Sequence, residues 1–193
     1  SSKLTIQLQG ESGAPIVIRA KEGEVPVITR PDANQNTINI EYSTFVELRG
    51  LEVQGGSHGI RLRDSSFITI EQCEVHDTAD VAISANYSGS SYEGLVFRGN
   101  HIHDTGGTGE GMYLGCNSNA CQMFDSLIEA NYIHHTNGAD VLQGDGIEIK
   151  EGSYNNVVRD NVIHDTKYPC VLTYSTVGNG APNIIERNVM WGC

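Results

Sequence analysis

Asn100-His101-Ile102-His103-Asp104-Thr105 returns almost word for word as Asn131-Tyr132-Ile133-His134-His135-Thr136 and as Asn161-Val162-Ile163-His164-Asp165-Thr166. A looser copy, Cys73-Glu74-Val75-His76-Asp77-Thr78, precedes them, and weaker ones lie at Leu51 to Val53 and Asn188 to Met190. The central apolar residues, Val53, Val75, Ile102, Ile133, Ile163 and Met190, are separated by 22, 27, 31, 30 and 27 residues. A unit that short cannot bury a core alone and must stack on its neighbours as one turn of a solenoid. Period-two alternation surrounds the copies, as in Phe67-Ile68-Thr69-Ile70 and Gly146-Ile147-Glu148-Ile149-Lys150, with Gly, Asn, Asp and Ser breaking the segments. These read as short strands. No stretch has the pattern of an amphipathic helix, so a βαβ sheet fails. An all-β coil of parallel strands, each about 4.8 Å from its equivalent in the next turn, remains.

Positions not used to find the repeat obey it. Five residues before each anchor stand Leu48, Ile70, Phe97, Ile128, Val158 and Ile185, an apolar column suited to the interior. The next column reads Arg49, Glu71, Arg98, Glu129, Arg159 and Glu186, alternating in sign. Opposite charges on adjacent strands attract by about 0.2–1 kcal/mol per pair, and a slip of one turn would set like charges together. This ladder is expected to pair structurally, which takes Arg159 off the list of catalytic bases. Asn100, Asn131, Asn161 and Asn188, two residues before their anchors, are expected to stack at a sharp corner, since Asn tolerates left-handed backbone and hydrogen-bonds along a stack.

With its stacked asparagines the chain resembles the pectate-lyase-like superfamily of right-handed parallel β-helices, over roughly residues 37–193. The resemblance implies one right-handed β-helix domain over 1–193, with about six to seven coils, the first over 1–36. It implies little about activity, because that fold hosts lyases, hydrolases, epimerases, tailspikes and adhesins. The sequence stops inside a repeat at Cys193, so the natural chain is expected to continue or another chain to cover this end.

The chain has 193 residues, and 12 basic against 24 acidic side chains give it a net charge of −12. That field repels phosphate backbones, so nucleic acid is excluded as a partner, and an anionic polymer would need a local basic patch or a bridging cation. No apolar run approaches the roughly 20 residues of a membrane helix. No leader is visible at Ser1 to Leu4, and without a starting Met the sequence reads as a mature or trimmed product. Cys116 and Cys121, flanking Asn117-Ser118-Asn119-Ala120, suit a local disulfide of an oxidising compartment, so a secreted or cell-surface protein, extracellular or periplasmic, is expected.

Insertions of unequal length follow the repeated turns, at Ala79 to Val81, Gly106 to Gly109, Asn137 to Gly144 and Lys167 to Pro169. Variable loops on one side of a solenoid build its binding face. If Ile60, Ile83, Met112, Ile147 and Val171 in the following strands point inward, Arg61, Ser84, Tyr113, Glu148 and Leu172 point outward, with Lys150 and Tyr174 extending the face. Glu110 and Tyr113 would then gather with Asp145, Glu148 and Lys150. These are parts for sugar chemistry: carboxylates to hold Ca²⁺ or exchange protons, a lysine, and a tyrosine to donate a proton or stack on a ring. Lys150, Glu148 and Tyr113 are the candidate catalytic residues. Glu110, Asp145 and His135, the one break in the aspartate series, are candidates for binding substrate or Ca²⁺. Acidic neighbours would raise the pKa of Lys150 unless a cation neutralises them, which argues against a simple lysine base. The histidine column, His76, His103, His134 and His164, is expected to stack structurally, because residues one turn apart do not converge tetrahedrally on one zinc.

Asp145 to Asn156 is similar to a segment of calcium-dependent polysaccharide lyases of this fold, where Asp-Gly precedes a Lys and an Asn-rich turn, but the next coil, Asp165 to Pro169, lacks the paired aspartates of such a calcium site. The expectation is an extracellular carbohydrate-active protein that binds a polysaccharide and, if an enzyme, is a lyase, glycoside hydrolase or epimerase. The alternative is a non-catalytic structural, adhesin or glycan-binding module. An outward apolar stripe, Val96, Leu127, Val157 and Ile184, and the open last coil offer surfaces for self-association.

Overall fold

The computed structural model describes residues 4–178 and 180–193; Ser1–Lys3, within the stretch searched for a leader, lie outside them. The chain winds as a right-handed parallel β-solenoid of about six turns. Successive passes of the chain add their strands to three seven-stranded sheets. The first sheet contains Leu4–Ile6, Ile38–Glu41, Ile60–Arg63, Ile83–Ala85, Met112–Leu114, Ile147–Ile149 and Val171–Thr173. The second runs from Ile16–Arg19 to Ile184–Glu186, and the third from Val27–Arg30 to Val189–Trp191. Among the described residues the one helical element is a short 3₁₀ turn, Asn117–Asn119. Among the described residues no helix is long and apolar enough to cross a membrane.

The repeat fixes the register. Val53, Val75, Ile102, Ile133, Ile163 and Met190 pair in succession across the third sheet. Leu48, Ile70, Phe97, Ile128, Val158 and Ile185 do so across the second. All but Ile185 of the latter are completely buried, and with the inward residues of the first sheet they form one continuous core. Beside this column Glu129 bridges Arg98 (2.6 Å) and Arg159 (2.7 Å), and Glu71 meets Arg49 at 3.3 Å.

At the corner between the second and third sheets, Asn100, Asn131 and Asn161 each donate Nδ2 to Oδ1 of the next asparagine at 2.9–3.0 Å, ending on Asn188. The same amides donate to the carbonyls of Ile70, Phe97 and Ile128, so buried polar groups satisfy one another along the axis. The left-handed residue of the corner is not the asparagine but the one before it: Gly99, Ala130, Asp160 and Arg187 have φ between 54° and 61°. A second, shorter ladder, Asn156 to Asn183 at 2.9 Å, lies at the preceding corner and has no counterpart in the repeated phrase.

Cys116 and Cys121 form the expected local disulfide, and Cys170 pairs with Cys193, tying the last strand to the turn before it. Cys73 is a buried free thiol. Val96, Leu127, Val157 and Ile184 align in one column, half-buried except for the exposed Ile184. Val189, Met190 and Trp191 are exposed on the last turn.

Candidate functional site

Ile60, Ile83, Met112, Ile147 and Val171 pair in order along the first sheet, and Tyr113 and Glu148 lie side by side on its outer face. Glu110 and Asp145 enter this face one residue before Gly111 and Gly146. A Cβ on Gly111 would come within 2.6 Å of the Gly146 carbonyl, and one on Gly146 within 2.5 Å of the Cys170 carbonyl. These glycines therefore let the turns close tightly, and Gly111 N–H donates to the Asp145 carbonyl at 2.9 Å. One strand-end further on, a Cβ at Gly115 would lie 3.1 Å from that of Lys150, and its absence makes room for the lysine stem.

The structure brings Glu110, Tyr113, Asp145, Glu148 and Lys150 together. One oxygen from each of Glu110, Asp145 and Glu148 lies within 4.8 Å of the others. Lys150 Nζ donates to Glu148 Oε1 and sits 4.7 Å from the Tyr113 ring centre and 4.8 Å from that of Tyr174. The carboxylates and the lysine are buried; Tyr113, half-buried, is the member of the five that reaches solvent. His135 is not brought to this cluster. It follows the third sheet's histidine column, with its ring against His134 and His164.

The electrostatics follow from crowding three acids in a dry place. Burial, reinforced by Glu148 and Glu110, pushes Asp145 up to about 7. Burial also raises Glu110, with Glu148 and Asp80 adding to it. Burial alone would lower Lys150, but its hydrogen bond and attraction to Glu148, helped by the tyrosines, leave it raised. Lys150 is thus a fixed cation, and the phenol of Tyr113, raised mainly by burial, stays protonated near neutrality. Four buried oxygens, Glu110 Oε1, both of Asp145 and Glu148 Oε2, have no hydrogen-bond partner among the described residues. Orphaned oxygens on three carboxylates are a donor set for a hard divalent cation such as Ca²⁺, which takes oxygen ligands, carboxylates among them. The residues present fit that ion.

Sequence reasoning missed the partners that extend the site. Thr108 Oγ1 lies 2.6 Å from Glu110 Oε2 and 2.8 Å from Asp80 Oδ1. His58 Nδ1 meets Ser84 Oγ at 3.0 Å, and its imidazole is lowered to about 4 by burial and then Arg61, against the opposing pull of Asp80. Asp80 and Thr108 lie in loops of unequal length and His58 precedes the first-sheet strand Ile60–Arg63, all outside the repeated phrase. The longest insertion stacks on its neighbour, with Leu142 N–H donating to the Gly107 carbonyl at 2.8 Å and Gln143 N–H to that of Thr108 at 3.0 Å. Towards the N-terminal end of the same face, Asn36, Asn39, Glu41, Arg61, Arg63 and Tyr87 line a groove of about 140 Å³, with the Arg63 guanidinium 4.0 Å above the Tyr87 ring.

Fold and repeat together define a parallel β-helix protein. Residues 36–193 match the family model described as right handed beta helix region, and the chain belongs to that family. Among solved structures it is similar to an alginate lyase from Paenibacillus sp. str. FPU-7 (14% identity, TM-score 0.58, 98% of this chain and 84% of the other). It is also similar to the pectate lyase Pel9A (16%, 0.52, 85% and 50%) and to the A-module of the Azotobacter vinelandii mannuronan C-5 epimerase AlgE6 (14%, 0.56, 99% and 58%). The chain thus spans about half the length of the latter two. At these identities the likeness is one of fold. No curated protein sequence matches the chain significantly.

Proposed function

We propose that this is an extracellular or periplasmic carbohydrate-active protein that binds an acidic polysaccharide along the outer face of the first sheet and acts on it near Tyr113, Glu148 and Lys150. The observation that carries the reading is the Lys150 ammonium held between Tyr113 and Tyr174 above three carboxylates with unpaired oxygens. Three fold neighbours are named for alginate, pectate or mannuronan chemistry, and two disulfides suit an oxidising compartment. An acidic chain reaching a protein of charge −12 needs local cations, and Arg61 and Arg63 supply them on the same face, with Arg61 two strands from Tyr113.

Glu110, Asp145 and Glu148 would hold a divalent cation, which when bound would neutralise negative charge in the site. Lys150 stays protonated and offsets the charge of a uronate carboxylate. Tyr113, the partly exposed member, stacks on a sugar ring or gives its proton to the leaving oxygen. Elimination would pass the proton beside the uronate carboxylate to Glu148, form the ring double bond and break the glycosidic C–O bond as Tyr113 protonates the leaving oxygen, whereas epimerisation would return a proton to the opposite face of the same carbon.

Alginate, pectate and neutral glycans incubated with the protein, with and without Ca²⁺, test this through ultraviolet absorbance of an unsaturated product and through reducing ends. Glu148→Gln and Tyr113→Phe should abolish the activity found; unchanged activity in both would place the site on another face. The burial of Glu148 and Lys150 favours a second reading, a glycan-binding module in which the cluster is structural. Polysaccharide binding without product would select it.

A further inference from the structure

Six of the seven histidines belong to the third sheet. His76, His103, His134 and His164 stack with ring centres 5.0–5.2 Å apart, and Trp191 continues the pile at 4.2 Å from His164. Stacked rings present their nitrogens side by side rather than toward one point. Around His103 the geometry is different. His101 and His103 lie two apart in one strand and so leave the sheet on the same face, while Glu74 stands opposite His101 in the preceding strand. Glu74 Oε1 is 3.2 Å from His101 Nδ1 and 3.1 Å from His103 Nε2. Ligands of a tetrahedral ion with bonds near 2.0–2.1 Å stand about 3.3 Å apart, so two edges of such a tetrahedron are already formed.

The far nitrogens of both rings are engaged. His103 Nδ1 lies 2.7 Å from Asp104 Oδ2, and His101 Nε2 lies 2.8 Å from His134 Nε2. An Nδ1–H given to Asp104 leaves the Nε2 lone pair of His103 facing a carboxylate oxygen, and only a cation, a proton or a metal, reconciles those two atoms. A carboxylate on the far nitrogen is also the usual support of a metal-bound histidine. One turn earlier Glu52 meets a single imidazole, His76, at 3.3 Å; one turn later the residues opposite His101 and His103 are Tyr132 and His134, neither of them a carboxylate. The side chains of Glu74 and His101 are 40% and 39% exposed, so an ion can enter and keep solvent ligands.

We propose that Glu74 Oε1, His101 Nδ1 and His103 Nε2 bind one Zn²⁺ ion, with Asp104 as the positioning residue of His103. Two imidazoles and one carboxylate select zinc and its transition-metal neighbours over Ca²⁺, which separates this site from the three carboxylates of the first sheet.

Zinc chloride titrated into the whole chain, followed by calorimetry in the presence of excess Ca²⁺, should show one ion bound per chain with micromolar affinity. His101→Ala and Glu74→Gln should each remove that binding while circular dichroism stays that of the folded solenoid. Asp104→Asn, which suits the left-handed backbone at φ 53°, should weaken it about 10- to 100-fold. His76→Ala should leave it unchanged. Absence of stoichiometric zinc binding would overturn the proposal. So would binding that survives both His101→Ala and Glu74→Gln, or binding that disappears instead with Asp145→Asn.

Discussion

The Thr108 hydroxyl stands 2.6 Å from Glu110 Oε2, and the same hydroxyl also faces Asp80 Oδ1 at 2.8 Å. It has one proton for two carboxylates. The second contact is a hydrogen bond only if a carboxyl carries a proton, and Glu110, raised by burial, is the one suited to do so. Cation binding by Glu110, Asp145 and Glu148 at pH 6 should therefore release protons. Calorimetric titration of Ca²⁺ in two buffers of different ionisation enthalpy measures the release. A heat that does not depend on the buffer would mean that the acids are already ionised.

Asp145 gives a stability prediction with a definite sign. Its native pKa of about 7 lies above the ordinary 3.8, so between those values the folded state holds more protons than the unfolded one. Stability from this residue is complete below about pH 4 and is lost as pH rises toward 7. In chelator, Asp145→Asn should flatten that slope and raise the melting temperature at pH 8 by at least about 2–4 °C, the equivalent of roughly 1 kcal/mol. Thermal melts across that range check it; a variant less stable at pH 8 would contradict it.

Lys150 and Glu148 form a buried ion pair, and removing one partner strands the other. Lys150→Met alone should cost about 3–5 kcal/mol, whereas Lys150→Met with Glu148→Gln should cost clearly less, because no uncompensated charge remains. Denaturant unfolding of both single variants and the double variant measures the coupling.

Asn161 occupies the interior of its ladder, accepting from Asn131 and donating to Asn188 and to the Ile128 carbonyl. Asn161→Ala should cost about 1–3 kcal/mol by leaving buried groups unpaired. Asn188→Ala, at the half-buried end, should cost less. Equal losses in denaturant melts would show that burial does not set the value of a rung.

The columns were legible in the sequence because one register decides them all: once Ile102 stacks on Ile133, the neighbours of Phe97, Arg98 and Asn100 follow. The candidate site was legible only to that extent. Tyr113 and Glu148 fell beside each other by register, and Glu110 and Asp145 by standing at the entry to the same face. Asp80, Thr108 and His58 were not visible, because loop conformation rather than periodicity positions them. His135 looked special as the break in the aspartate series, yet its backbone φ of 52° matches the 52–53° of Asp77, Asp104 and Asp165. Those aspartates each meet the preceding histidine at Nδ1. Cys170 and Cys193 are 23 residues apart, and only the height of one turn brings their Cα atoms to 5.4 Å.

The alternating sign of Arg49, Glu71, Arg98, Glu129, Arg159 and Glu186 also bears on how such a molecule lengthens. Copying a single coil would place two arginines or two glutamates in contact, whereas copying two restores the order, so growth by internal duplication is favoured in even steps. Arg19 beside Arg49, in the outermost turn, is the one breach of that parity at the start of the column.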